Sequence, residues 1–160
     1  MVSQKDGFIP KTLDFETRVH SSFKHQAVMN LIGAELVKVL PGEVEIQVNF
    51  RKDLTQQHGF IHAGIIATIA DSACGYAAFS LMPADSSVLT IEFKVNLLAP
   101  AEGDKFVAKG KVLKSGRTIT VCEGEVFAQR ADETKLVAIM TASMMTIMNR
   151  PGVSESSISE

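Results

Sequence analysis

Two hydrophobic periods alternate along the chain, one near four residues and one of two, and the switches between them mark its elements. From Arg18 to Asn30, Val19, Phe23 and Ala27, with Leu31 just beyond, recur every four residues. That spacing predicts a short amphipathic helix, and Gly33 stands where a helix commonly stops. The next two runs, GAELVKVL and EVEIQVNF, flank Pro41-Gly42 and predict a β-hairpin. In the second, Val44, Ile46 and Val48 alternate with Glu43, Glu45, Gln47 and Asn49, so one face is buried and the other wet. Arg51 to Phe60 is polar and turn-like.

From Ile61 to Met82 the pattern loses its polar face, which predicts a long helix buried on nearly all sides and ended by Pro83, Ala84 and Asp85. Period two then takes over. VLTIEFKVNLL places Ile91, Phe93, Val95 and Leu97 on one face and Thr90, Glu92, Lys94 and Asn96 on the other. Pro100 to Asp104 reads as a turn. KFVAKGKVLK and RTITVCEGEVFAQ read as long strands joined tightly at Ser115-Gly116, and KLVAIMTASMMTIM reads as the last strand. The expected order is a short helix, two strands, one long helix and four strands in a meander. One apolar helix needs one sheet to cover it, so the expected class is α+β, an antiparallel sheet wrapped round a central helix. A chain of 160 residues fits one domain. Residues 1–17 read as a flexible arm, 18–149 as the domain and the polar residues 150–160 as a disordered tail.

Composition narrows the function. The formal net charge is −2 with both signs interspersed, which offers no basic footprint for nucleic acid and no polybasic anchor for a membrane. The apolar stretch approaches spanning length, but Asp71 sits in its middle, and an ionised Asp costs about 2.5–3.5 kcal/mol at a bilayer centre. The two cysteines, Cys74 and Cys122, and the four histidines show no zinc spacing, so no metal and no cofactor are expected. The early residues mix charged and polar groups unlike a secretory signal, and a cytoplasmic setting is the expectation.

The stretch TQQHGFIHAGIIATIAD, Thr55 to Asp71, concentrates the candidate chemistry. A polar loop leads into a helix opening at His62-Ala63-Gly64, where backbone N–H groups lack intrahelical partners and favour an oxyanion. Asp71 follows about two turns later and is the sole carboxylate between His62 and Pro83. It shares a face with Gly64, Thr68 and Gly75, all small, while Ile65, Ile69 and Tyr76 lie opposite as core. A carboxylate on such a helix is costly unless paired, and an apolar setting raises its pKa towards that of a useful base. The competing reading is a structural Asp bonded to a nearby loop. His62 equally reads as an ordinary cap, and His58, Gln56 and Gln57 as solvated loop residues. Neither cysteine stands at a recognisable spacing from a base, and the methionines of the last strand read as core filler.

GFIHAGIIATIAD resembles the signature of hotdog-fold acyl-CoA thioesterases of the PaaI-like type. TIEFKVNLLAPAEGD and VLKSGRTITVCEGEVFAQ resemble the strands that follow it there, so the likeness runs from about Gly33 to Met148. The resemblance implies a hotdog fold and hydrolysis of an acyl-CoA to a free acid and CoA. It casts Asp71 as base or nucleophile and the Ala63 amide as the donor polarising the thioester carbonyl. His62 closes the loop, Gln57 or Gln56 contacts substrate, and Thr90 holds the attacking water. Two positions depart from the family pattern: Ala63 replaces a frequent glycine, and the glutamines replace a frequent asparagine. Gly64 and Thr68 line the approach. Lys114 and Arg117, beside the expected turn, are candidates for the CoA phosphates or simply a solvated hairpin end.

Spacing adds one constraint. Gly64 and Asp71 lie about 10 Å apart along one helix, whereas reacting atoms must approach to about 3–3.5 Å. Two antiparallel copies can bring Asp71 of one to Ala63 of the other, so at least a homodimer with sites between subunits is expected; the resemblance implies the same placing of the sites and suggests a homotetramer. Two other readings stay open. One is a hotdog hydratase of enoyl or hydroxyacyl thioesters. The other is a non-catalytic acyl-CoA-binding module. Acyl preference is expected to depend on residues such as Phe79, Leu81 and Phe93.

Overall fold

The computed structural model describes residues 7–148. The expected tail, residues 150–160, lies outside them. Three helices and six strands follow the order α1 (Phe15–His25), α2 (Ala27–Ile32), β1 (Ala34–Leu40), β2 (Glu43–Asn49), α3 (Ala63–Phe79), β3 (Ser86–Leu97), β4 (Lys105–Ser115), β5 (Ile119–Arg130) and β6 (Glu133–Met148). All six strands form one antiparallel sheet in the order β1-β2-β4-β5-β6-β3. The sheet curls round α3, the hotdog arrangement. No described helix is long and apolar enough to cross a membrane.

The expected N-terminal helix is two helices. α1 begins at Phe15, inside the segment expected as an arm, and Phe8 packs over the turn at Gly42. The chain breaks at Gln26, which adopts extended backbone, and its side-chain oxygen accepts from the Ser72 hydroxyl at 3.2 Å. Past the break the buried positions shift from Val19 and Phe23 to Met29 and Ile32, which leaves Leu31 exposed. Gly33 ends α2 in the left-handed conformation, as its position predicted. Arg18 ties α1 to the far end of α3: its guanidinium donates to the carbonyls of Met82 and Pro83 at 3.2 and 3.0 Å and lies over the Phe79 ring.

The helix seats directly on the sheet because two strand glycines face each other beneath it. Gly110 of β4 pairs with Gly124 of β5. A Cβ on Gly110 would stand 2.2 Å from the Ala73 carbonyl carbon, and one on Gly124 would stand 2.9 Å from Cys74 Sγ. Glycine within a strand marks such a close backbone approach. Around this seat Ile69, Ala70, Ala73 and Ala77 of α3 meet Ile46, Phe106 and Met140 in one core.

The late strands are not a simple meander. β4, β5 and β6 are consecutive neighbours, but β3 pairs with β6 at the opposite edge, and β4 pairs with β2. The segment from Leu98 to Asp104 is therefore a crossover along one end of the sheet, not a turn. Leu98 N–H donates to Val137 O on β6, Asp104 N–H to Gln129 O on β5, and Phe50 N–H to Asp104 O beside β2. Ala101 O accepts from Ile61 N–H, which fastens this crossover to the start of α3. Seven residues exceed the usual two to five of a hairpin loop, roughly as the crossing requires.

Within β3 a second correction bears on function. The register shifts between Thr90 and Glu92, a bulge that drops Ile91 from the alternation. Thr90, Phe93, Val95 and Leu97 pair with the buried residues Met144, Ala142, Met140 and Ala138, so all four face the helix side. Glu92, Lys94 and Asn96 face away. Strict alternation places Thr90 with the outward set; the bulge turns it inward.

Candidate active site

The loop before α3 is built to present the first amides of that helix. Lys52–Leu54 forms one short 3-10 turn. Gln56 O accepts from Gly59 N–H, and the Gln56 side-chain oxygen accepts from His58 N–H. Gly59 adopts a φ of +86°, a conformation that favours glycine. His62 is the N-cap of α3: its Nδ1 accepts from Gly64 N–H at 2.8 Å. That bond requires an unprotonated Nδ1. With Gly64 satisfied, Ala63 N–H has no hydrogen-bond partner among the described residues, and Ala63 is exposed. The helix dipole reinforces this donor.

Asp71 lies half-buried two turns further along α3. The Thr90 hydroxyl donates to its Oδ1 at 2.8 Å and also lies 3.4 Å from Met144 Sδ. Burial raises the Asp71 pKa above the ordinary carboxylate value, and the Thr90 bond opposes part of that rise. Only the bulge at Ile91 makes the bond possible.

A cleft of about 520 Å³ opens beside Ala63. Ile61, Ile66 and Val137 form its floor, each at most 3 % exposed, and Phe60, Leu97 and Leu98 form its rim. Ala99 and Ala101 supply one wall and Gln56 a polar edge. No lining residue is charged. Of the two glutamines Gln56 reaches this cleft; Gln57 is exposed and points to no described partner.

The expected site residues thus fall into three groups. Gln56, His62, Ala63 and Gly64 gather at the start of α3. Thr68 spends its hydroxyl on Gly64 O at 2.7 Å, a turn before Asp71. Asp71 and Thr90 form the second group, eight residues and so about 12 Å beyond Ala63 on a helix rising 1.5 Å per residue. Lys114 and Arg117 lie away from the cleft but at the Thr90 end of the sheet, where Ser115, Thr120, Met144 and Thr90 share one row of the register. The two flank the β4–β5 hairpin, whose tip is closed by Gly116 N–H donating to Ile119 O, with Thr146 N–H bonded to Thr118 O alongside. That end of the sheet is opposite to the crossover and the cleft.

Phe79 and Leu81 are core residues at 1 % and 3 % exposure and do not line the cleft; Phe93 lies on the exposed edge strand. The cleft beside Ala63 is lined instead by residues that sequence reasoning did not single out for it, among them Phe60, Leu97, Leu98, Ala99 and Val137. The available signal was the length of the Leu98–Asp104 connection with Pro100 inside it. Both cysteines are fully buried under the helix seat, and desolvation pushes both thiols well above their ordinary pKa, which suits core residues and not nucleophiles.

Comparison with known proteins agrees with this architecture. The family model of the thioesterase superfamily matches residues 58–135, from the loop before α3 to the start of β6. A thioesterase family protein from Silicibacter pomeroyi is 49% identical over 84% of this chain and 98% of its own, with a TM-score of 0.83. The E. coli PaaI protein of the phenylacetic acid degradation operon shares the fold, with a TM-score of 0.76 at 20% identity over 84% of this chain and 94% of its own. A 1,4-dihydroxy-2-naphthoyl-CoA hydrolase of Listeria monocytogenes is 28% identical over 68% of this chain and 85% of its own. An alignment that covers nearly all of the Silicibacter protein, with the family's helix and sheet in place, establishes that this chain belongs to the thioesterase superfamily.

Proposed function

We propose that the protein hydrolyses an acyl-CoA thioester to a free acid and CoA, at a site shared by two copies of the chain. The observation that carries the reading is the pair of half-sites on α3: a free amide at Ala63 and a half-buried carboxylate at Asp71, held about 12 Å apart by the helix between them. Neither can serve the other within one chain. An antiparallel second copy places Asp71 of one against Ala63 of the other. Strand β3 supports such pairing, because it is a sheet edge of 12 residues with Leu89, Ile91, Phe93 and Leu97 exposed. An uncovered apolar edge of this length is a pairing site.

In this reading the thioester carbonyl oxygen lies against Ala63 N–H. Asp71 takes a proton from water as the water oxygen attacks the carbonyl carbon, or attacks that carbon itself and forms, as the thiolate leaves, a mixed anhydride that water then hydrolyses to the free acid. Charge building on the carbonyl oxygen is held by the amide, a contribution of about 10²–10³ in kcat for one such donor. Collapse of the tetrahedral species expels the CoA thiolate. Thr90 fixes the carboxylate, His62 keeps Gly64 from competing for the oxyanion, and Gln56 offers a polar contact at the edge of the cleft. The similarity to a CoA hydrolase supports the CoA moiety of the substrate.

The test is release of thiol from aryl, medium-chain and long-chain CoA esters by the protein and by Asp71→Asn. The substitution removes the charge and nearly keeps the shape. The expected result is a fall in kcat of at least about 10²–10⁴-fold, with KM changed little. Turnover retained by the variant would remove Asp71 from the mechanism, and absence of hydrolysis by the unaltered protein would leave the binding-module reading ahead.

A further inference from the structure

We infer that Met144 is a positioning residue: its thioether gives the Thr90 hydroxyl a second acceptor, to which the hydroxyl turns when the Asp71 carboxylate takes up a proton. The inference rests on the hydrolase reading above, in which that proton comes from the attacking water, and it names one more residue behind the carboxylate. The Thr90 oxygen lies 2.8 Å from Asp71 Oδ1 and 3.4 Å from Met144 Sδ. A threonine hydroxyl carries a single proton, so it serves these two acceptors only in turn. An ionised carboxylate is the stronger acceptor and holds the hydroxyl while Asp71 is charged. A protonated carboxyl is itself a donor. Its O–H then bonds to the Thr90 oxygen, and the Thr90 O–H swings to the sulfur. No proton leaves Thr90 in the exchange.

The fold builds this contact within one chain. Met144 stands opposite Thr90 on β6, in the register that the bulge at Ile91 sets, and it is fully buried. Pairing of copies along β3 therefore leaves the sulfur where it is. A leucine would fill nearly the same space, but a thioether adds a weak acceptor that an aliphatic side chain lacks. Removing the sulfur withdraws that acceptor from the protonated state alone and so favours the charged carboxylate. The surroundings supply no competing charge. One turn along α3 stands Cys74, with Cys122 of β5 against its carbonyl, and burial holds both thiols neutral. Gln26, which reaches Ser72 from the break between α1 and α2, is uncharged. Glu92 and Lys94 of β3 and Glu123 of β5 alternate onto the outer face of the sheet.

The test follows the Asp71 carboxyl carbon by 13C NMR through a pH titration. It compares the unaltered protein, Met144→Leu, Thr90→Val and the double variant, and Asp71→Asn assigns the resonance by its loss. Leucine nearly conserves the core volume, and Met144→Ile repeats the test should the leucine variant fail to fold. Met144→Leu should lower the titration midpoint by about 0.4–1 pH unit, the size of one weak hydrogen bond expressed as a pKa. The acid limb of kcat/KM should move by the same amount, with KM changed little. In the Thr90→Val background the same substitution should move neither. A midpoint that Met144→Leu leaves in place would overturn the inference. So would an equal shift with and without the Thr90 hydroxyl, because that traces the effect to packing. Absence of hydrolysis by the unaltered protein would overturn the hydrolase reading, and the carboxyl titration would still decide the exchange at Met144.

Discussion

Asp71 carries opposite consequences for activity and for stability, and its environment fixes the sign of each. Burial holds the folded-state pKa above the unfolded value. A carboxyl shifted upwards binds its proton more tightly in the folded protein, so its contribution to stability is full below the unfolded pKa and is lost as pH rises through the folded pKa. At neutral pH the ionised group is a net cost. Asp71→Asn should therefore melt at the same temperature as the unaltered protein or higher at pH 7, with the difference shrinking in acid; a lower melting temperature at pH 7 would mark Asp71 as a structural group. Activity runs the other way, since the base must be ionised, and kcat/KM should decline as pH falls through the raised pKa. The Thr90 hydroxyl opposes that rise. Thr90→Val should thus move the acid limb of the pH–rate profile to higher pH, and an unmoved limb would separate Thr90 from the carboxylate.

Elements were legible in this chain where a pattern was local, and obscure where it depended on distant pairing. The β1–β2 hairpin, the long helix and the buried row Val44, Ile46 and Val48 follow from periodicity and from Pro41-Gly42. The candidate chemistry at His62, Ala63 and Asp71 was legible for the same reason: all of it lies on one helix. The crossover of Leu98–Asp104 was not, because strand partners are chosen by the whole sheet. The bulge at Ile91 was not, because a shift of one residue leaves the composition of the strand unchanged while reversing a side chain. Nor was the break at Gln26, whose side-chain partner, Ser72, lies 46 positions away. The glycine seat was half-legible, as Gly110 and Gly124 each interrupt a strand pattern without revealing that they meet. Its importance is measurable: Gly110→Ala must displace helix backbone, and overpacking of this kind costs about 1–3 kcal/mol or more. Denaturant unfolding should show that loss; an unchanged midpoint would mean the helix is not seated there.

At the scale of the whole molecule, the account requires that no single chain be active. The helix separates amide from carboxylate, the sheet leaves β3 as an apolar edge, and the cleft opens beside the amide. Two variants, each disabling one half-site, test this together. Asp71→Asn removes the carboxylate. Ala63→Pro removes the N–H at the first helical position, where proline is well tolerated. A symmetric pair built from one chain of each kind has one site with both native groups and one site with neither. Each variant alone should be nearly inactive. Mixed, dissociated and reassociated at equal concentration, the two should recover about a quarter of the unaltered turnover, because half of the pairs are mixed and each holds one working site. Recovery of that size is the predicted result; folded variants that exchange subunits and regain no hydrolysis would contradict a site shared between copies.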